Sequence, residues 1–132
     1  MKQWLTWTVV VIAMVMTCAA ATAGQQSVLV SLIQLIANAS AFDQQRVMLY
    51  GYAMLEYEHK AIYLSEGDAK HGTTRNALWL DVPMESAIYA NRANSHGRYV
   101  LVEGTFNARR RGHGNVFSGT IENITRFEAQ RD

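Results

Sequence analysis

Hydrophobic and polar residues alternate regularly over the last third of the chain, Arg98 to Phe127. Val100, Val102, Gly104 and Phe106 fall at every second position and share one face of a strand, while Tyr99, Leu101, Glu103 and Thr105 take the other. Beyond a basic, glycine-containing turn, Phe117, Gly119 and Ile121 line one side of a second strand, and Val116, Ser118, Thr120 and Glu122 the other. One apolar and one wetter face is the habit of an antiparallel sheet. Ile124 breaks the period and Phe127 restores it, so a bulge near Glu122 to Asn123 is expected. Gly104 and Gly119 sit inside facing strands, where glycine marks sharp coiling or a close backbone approach, and they suit a small, curved barrel.

Upstream, the period changes from two to 3.6. Val28, Leu32, Leu35, Ile36 and Ala39 form one apolar stripe and predict a helix from Ser27 to Asn38. Ser27 is the expected cap, with Ser31 and Gln34 as a capping-box alternative, and Asn38 closes the helix in a left-handed conformation. A strand follows over Arg46 to Tyr57, with Val47, Leu49, Gly51, Ala53 and Leu55 on one face. Met48, Tyr50, Tyr52 and Met54 make its other face apolar too, as for a central strand whose outer side is partly covered. Glu58-His59-Lys60 reads as a hairpin turn, Ala61 to Ser65 as a strand and Glu66 to Asn76 as a loop. Ala77 to Val82 is a third strand, with Leu78, Leu80 and Val82 opposite Trp79. Pro83 suits the first turn of a short helix carrying Met84, Ala87 and Ile88.

The start of the chain has a different character. Lys2, an apolar run from Trp4 to Thr17 and the small residues Ala19 to Ala23 read as a secretory signal peptide cut after Ala23. The run falls short of the roughly 20 residues of a spanning helix, so no membrane span is expected in the mature form. Thr17 before Cys18 disfavours a lipidated cysteine. Removing 23 of 132 residues leaves 109, enough for one domain with a modest core, and no cysteine remains to form a disulfide. Without Lys2, 11 basic residues face 11 acidic ones, and near-neutrality disfavours non-specific binding to nucleic acid. The expected location is periplasmic or secreted.

The expected fold is mainly β with two helices. Helix, three strands, helix and two strands is the element order of an OB-fold, a five-stranded Greek-key barrel, with an extra N-terminal helix. An open, mixed α+β sheet is the alternative. The segments VSLIQLIANASAFDQQRV, AIYLS, LWLDV, YVLVEGTF and GHGNVFSGTIENITR cover most of the mature chain. In them the sequence resembles a family of small, exported, largely uncharacterised bacterial proteins with OB-like folds. Where that family's turn before the first strand often reads Asp-Gly-Lys, this chain has Asp43-Gln44-Gln45, which weakens the expectation of a tight turn. The resemblance implies fold and export and carries no activity.

Candidate chemistry is sparse. Arg109, Arg110, Arg111 and His113 crowd the turn between the last two strands, which in an OB-fold borders the usual binding face. Arginines there suit phosphate, sulfate or carboxylate, although near-neutral charge favours the plainer reading, a solvated hairpin tip that resists edge pairing. Tyr50 and Tyr52 could form a stacking platform for bases or sugars, against the commoner role of packing. His59, His71, His96 and His113 lack the close spacing of a ligand pair, so no metal site is expected. There is no G-x-S-x-G elbow, and nothing marks two of Asp81, Glu103 and Glu122 as an acid–base pair. The sequence therefore points to a non-catalytic exported module, without cofactor, for a small ligand, a glycan or an envelope protein. Single-stranded nucleic-acid or oligosaccharide binding is the alternative, and a metal-dependent hydrolase ranks below both.

Overall fold

Strand β2 (Arg46–Leu55) is the spine to which most other elements attach. Its inner positions Val47, Leu49, Ala53 and Leu55 are buried, as the alternation predicts. The structure is a computed structural model describing residues 24–131, and the expected leader, Cys18 and cut after Ala23 lie outside the described residues. β2 pairs antiparallel with β3 (Lys60–Tyr63) along one edge and with β5 (Arg98–Asn107) along the other. β3 pairs antiparallel with β4 (Ala77–Leu80), β4 runs parallel to β6 (Thr120–Ala129), and β6 pairs antiparallel with β5. The order β2–β3–β4–β6–β5 returns to β2, so five strands close a barrel. An open sheet is therefore ruled out. A two-residue strand, β1 (Val28–Leu29), adds in parallel to the start of β2.

The barrel interior holds Val47, Leu49, Ile62, Leu78, Leu80, Val100, Val102, Phe106 and Ile121. Helix α1 (Leu32–Ala37) turns Leu32 and Leu35 into this core, and both are essentially inaccessible to solvent. The helix is shorter than its apolar stripe predicts, because Val28 and Leu29 pair with Val47 and Met48 instead. Its cap is Ser31, not Ser27. The Ser31 hydroxyl accepts from the Gln34 N–H at 3.1 Å, and the Gln34 side chain accepts from the Ser31 N–H at 2.9 Å. Ser27 instead bonds the Glu103 carboxylate. Asn38 ends α1 at φ −126°, outside the left-handed region, and leads into a second turn of helix, α2 (Ala39–Phe42).

Among the described residues four short α-helices are present, against the two expected. Helix α3 (Glu66–His71) occupies the stretch read as a loop. It has no apolar stripe to reveal it; its signals are all terminal. The Ser65 hydroxyl accepts from the Asp68 N–H, acids fill the first turn, Lys70 and His71 fill the last, and Gly72 closes it at φ 65°. Helix α4 (Ala87–Ala90) begins four residues after Pro83, capped by Ser86, because residues 83–86 form a separate turn.

The bulge in β6 lies where the pattern broke. Glu103 faces Arg126 and Thr105 faces Glu122, so Asn123, Ile124 and Thr125 together oppose Gly104. Asn123 takes φ 48°, and the Arg46 guanidinium donates to its carbonyl at 2.9 Å. A side chain at 104 would meet Ile121 at 2.6 Å, which explains the glycine opposite the bulge. The turn before β2 is tight as well, with Gln44 at φ 65° and its N–H donating to the Phe106 carbonyl at 2.7 Å.

One expectation about β6 is corrected. Residues 116–119 precede the strand, so Phe117 does not share a barrel-facing row with Ile121. It is buried outside the barrel, in a second apolar cluster with Ala61, Tyr63 and Ala77. Tyr52, Met54, Ala69 and Trp79 pack against that cluster. The outer face of β2, β3 and β4 is thus covered by α3 and by the loop leading into β6.

Candidate functional site

The basic turn is built by Asn107. Its side-chain oxygen accepts from the Arg109 and Arg110 N–H groups, both at 3.0 Å, and so bends the chain at the end of β5. The Thr120 hydroxyl donates to the Arg110 carbonyl at 2.8 Å, and the Phe117 N–H donates to the Arg111 carbonyl at 3.2 Å. These bonds pin the loop to the barrel at both ends.

The three arginines do not converge on one point. The Arg110 guanidinium lies 2.6 Å from Glu122 and 3.2 Å from Asp81. These hydrogen bonds, Glu122 first, push its pKa above the usual arginine range. Arg109 is nearly fully exposed and sits 3.9 Å from Asp43. The Ala108 N–H donates to Asp43 at 2.9 Å, and this bond is the main reason the Asp43 carboxyl lies below its ordinary range. Arg111 is exposed and has no carboxylate within 4.0 Å among the described residues. An anion arriving at Arg110 would have to displace two carboxylates.

His113 stacks on Trp79, with ring centroids 6.4 Å apart, and Phe117 tilts against the same indole at 5.4 Å. Behind them His59 stacks on Tyr63, and its Nε2 is 2.8 Å from the Tyr63 hydroxyl. Burial raises the Tyr63 pKa, helped by Glu56, so the phenol keeps its proton at neutral pH. The face beside the basic turn is therefore filled by the protein's own aromatic groups.

Tyr50 and Tyr52 share the outer side of β2 but belong to different surroundings. Tyr50 is half exposed and lines an apolar groove of about 420 Å³ with Leu29, Leu32 and Leu64. Tyr52 meets Tyr99 edge to face, with centroids 5.3 Å apart, in a separate cleft of about 380 Å³. Glu66, Arg98 and Arg131 bring charge to that cleft. Burial, then Glu66 and Tyr99, raises the Tyr52 pKa. The Glu66 N–H donates to the Tyr99 hydroxyl at 3.4 Å. Tyr99 and Arg98 were not among the residues singled out from sequence. Their signal was the pairing of β2 with β5, which sets Tyr52 opposite Tyr99.

The remaining histidines have local partners. His71 Nδ1 is 2.8 Å from the Gly67 carbonyl, and His96 Nδ1 accepts from the Leu55 N–H at 3.0 Å. Among the described residues, no three His, Cys, Asp or Glu side chains gather as a metal site, and no helix is long and apolar enough to cross a membrane. No protein-family model matches the chain, and no curated protein matches it.

Proposed function

We propose that this chain is an exported, non-catalytic OB-fold-like module of the periplasm or extracellular space that binds a small ligand, a glycan or an envelope protein. The observation that carries the reading is the strand order. Counting only the five barrel strands, the first pairs with the second and the fourth, and the third lies parallel to the fifth. Helix α4 falls between the third and fourth, as in the Greek-key barrel of OB-folds. Such barrels bind through side chains on an outer face and the loops at its border. Export rests on the charged, apolar and small-residue sequence that ends at Ala23.

Near-neutral charge and the pairing of Arg110 with Glu122 and Asp81 favour a compact ligand over a long polyanion. The Tyr52–Tyr99 cleft adjoins the covered face through Tyr52, while at the basic turn Arg109 lies beside Asp43 and Arg111 is exposed.

The test has two parts. Intact-mass measurement of protein recovered from the envelope fraction should give a chain beginning at Gly24. A binding screen against envelope proteins and glycans, with wild type and an Arg109/Arg110/Arg111 triple-alanine variant, tests the module itself. Binding that the variant retains in full removes the basic turn from the site. Absence of any ligand, together with recovery of the uncut chain, overturns the reading.

A further inference from the structure

We propose that the cleft between Tyr52 and Tyr99 is a binding site for a pyranose sugar carrying a single carboxylate. This rests on the reading above and names the ligand class that one part of the surface would take. The cleft lies where β2 and β5 pair, with Tyr52 directly opposite Tyr99. Its backbone walls are fixed: the Gly97 N–H donates to the Ala53 carbonyl at 2.8 Å, and the Gln130 N–H donates to the Tyr99 carbonyl at 2.9 Å. Gly97 takes φ 70°, a conformation that side-chain-bearing residues resist, so the wall beside the Tyr52 hydroxyl carries no side chain.

The chemistry is that of a sugar site. The two rings stand at 76°, so one supports the other edge-on. Tyr99 is 42% exposed and leaves apolar ring surface for the C–H face of a pyranose. The Tyr52 phenol stays protonated and offers a hydroxyl, and Glu66 supplies acceptors for sugar hydroxyls. The volume, about 380 Å³, is at the small end of the roughly 300–1,000 Å³ typical of ligand sites. That excludes a long segment of polymer from the cleft itself.

The charge selects the carboxylate. Two guanidiniums, Arg98 and Arg131, line the cleft, and Glu66 is the carboxylate that lines it among the described residues. Among the described residues Arg98 has no acidic group within 4.0 Å, unlike Arg110. A guanidinium without a carboxylate partner, beside aromatic surface, suits a carboxylate set at the edge of a ring.

The experiment is a titration of the mature protein, followed by tyrosine fluorescence and by NMR, with glucuronic acid and N-acetylmuramic acid. Their neutral counterparts, glucose and N-acetylglucosamine, are run beside them. The acids should bind about tenfold more tightly than the neutral sugars, and Arg98→Gln should reduce that preference several-fold. Tyr99→Ala should weaken both classes. Arg98 is exposed, so Arg98→Gln should keep the wild-type thermal midpoint. Tyr99→Ala gives up its contact with Tyr52 and should lower the midpoint by a few degrees. Binding is therefore read well below both midpoints, which separates lost binding from lost folding. Equal binding of acidic and neutral sugars overturns the charge assignment. Failure of all four sugars, or binding that survives Tyr99→Ala, overturns the site. If the envelope screen still finds a ligand in that case, the binding-module reading stands without this cleft.

Discussion

Gly112 lies against the indole of Trp79 so closely that a Cβ at position 112 would stand 2.6 Å from Trp79 Cβ and Cγ. The glycine also takes φ 65°, so it is constrained by backbone conformation and by space together. This contact seats the basic loop on the outer face of β4. Gly112→Ala should therefore destabilise the fold by roughly 2–4 kcal/mol in urea unfolding, combining overpacking with strain. Gly114 supplies the internal control. It has φ 68°, but the nearest atom to an added Cβ is 3.8 Å away, so Gly114→Ala should cost about 1 kcal/mol from the backbone alone. Equal costs at the two sites would show that the loop does not press on Trp79.

Gln44 occupies a left-handed position, at φ 65°, that glycine adopts without strain. Gln44→Gly should raise stability by about 0.5–1 kcal/mol, the relief of strain less the extra entropy of an unfolded glycine. Gln44→Ala should bring no gain. A loss of stability in Gln44→Gly would mean that the Gln44 side chain does more than its 3.4 Å bond to Asp43 indicates.

Leu35 is fully buried and joins α1 to the barrel interior. Leu35→Ala should cost about 2–5 kcal/mol, whereas Ser31→Ala, which removes the capping box, should cost about 1 kcal/mol. A cost below about 1 kcal/mol for Leu35→Ala would contradict a helix that plugs the core.

Acid should weaken the fold through Asp43. Its pKa is lowered in the folded state, chiefly by the Ala108 N–H, so its ionised form contributes stability above the unfolded value. That contribution is lost as pH falls from about 4 through the lower folded value. Asp68, lowered mainly by its bond from Asn76, and Glu128, lowered by Arg126, follow the same sign. The unfolding midpoint of wild type should drop on acidification below about pH 4, and Asp43→Asn should lose part of that slope. A slope identical to wild type would place the acid sensitivity elsewhere.

Arg110 is half exposed, so its pairs with Glu122 and Asp81 are screened by solvent. Arg110→Gln should lower stability by less than about 1 kcal/mol, and the difference should shrink in high salt.

The identity of the five barrel strands, the buried rows of β2 and β5 and the bulge near Asn123 were legible in local order, because period-two alternation and its interruption are properties of neighbouring residues. The covered outer face hinted at by Tyr52 and Met54 was legible too. Helix α3 was hidden because it buries no apolar stripe, and its caps alone resemble a turn. Closure of the barrel, the place of Phe117 outside it and the meeting of Tyr52 with Tyr99 were decided only in three dimensions. Each depends on which strands lie side by side, and that choice minimises exposed apolar surface and unpaired backbone over the whole chain at once. The same holds for charge. A run of three arginines reads as one cationic patch, yet folding sets Asp81, at the end of β4, and Glu122, on β6, against the middle one, and Asp43 beside Arg109.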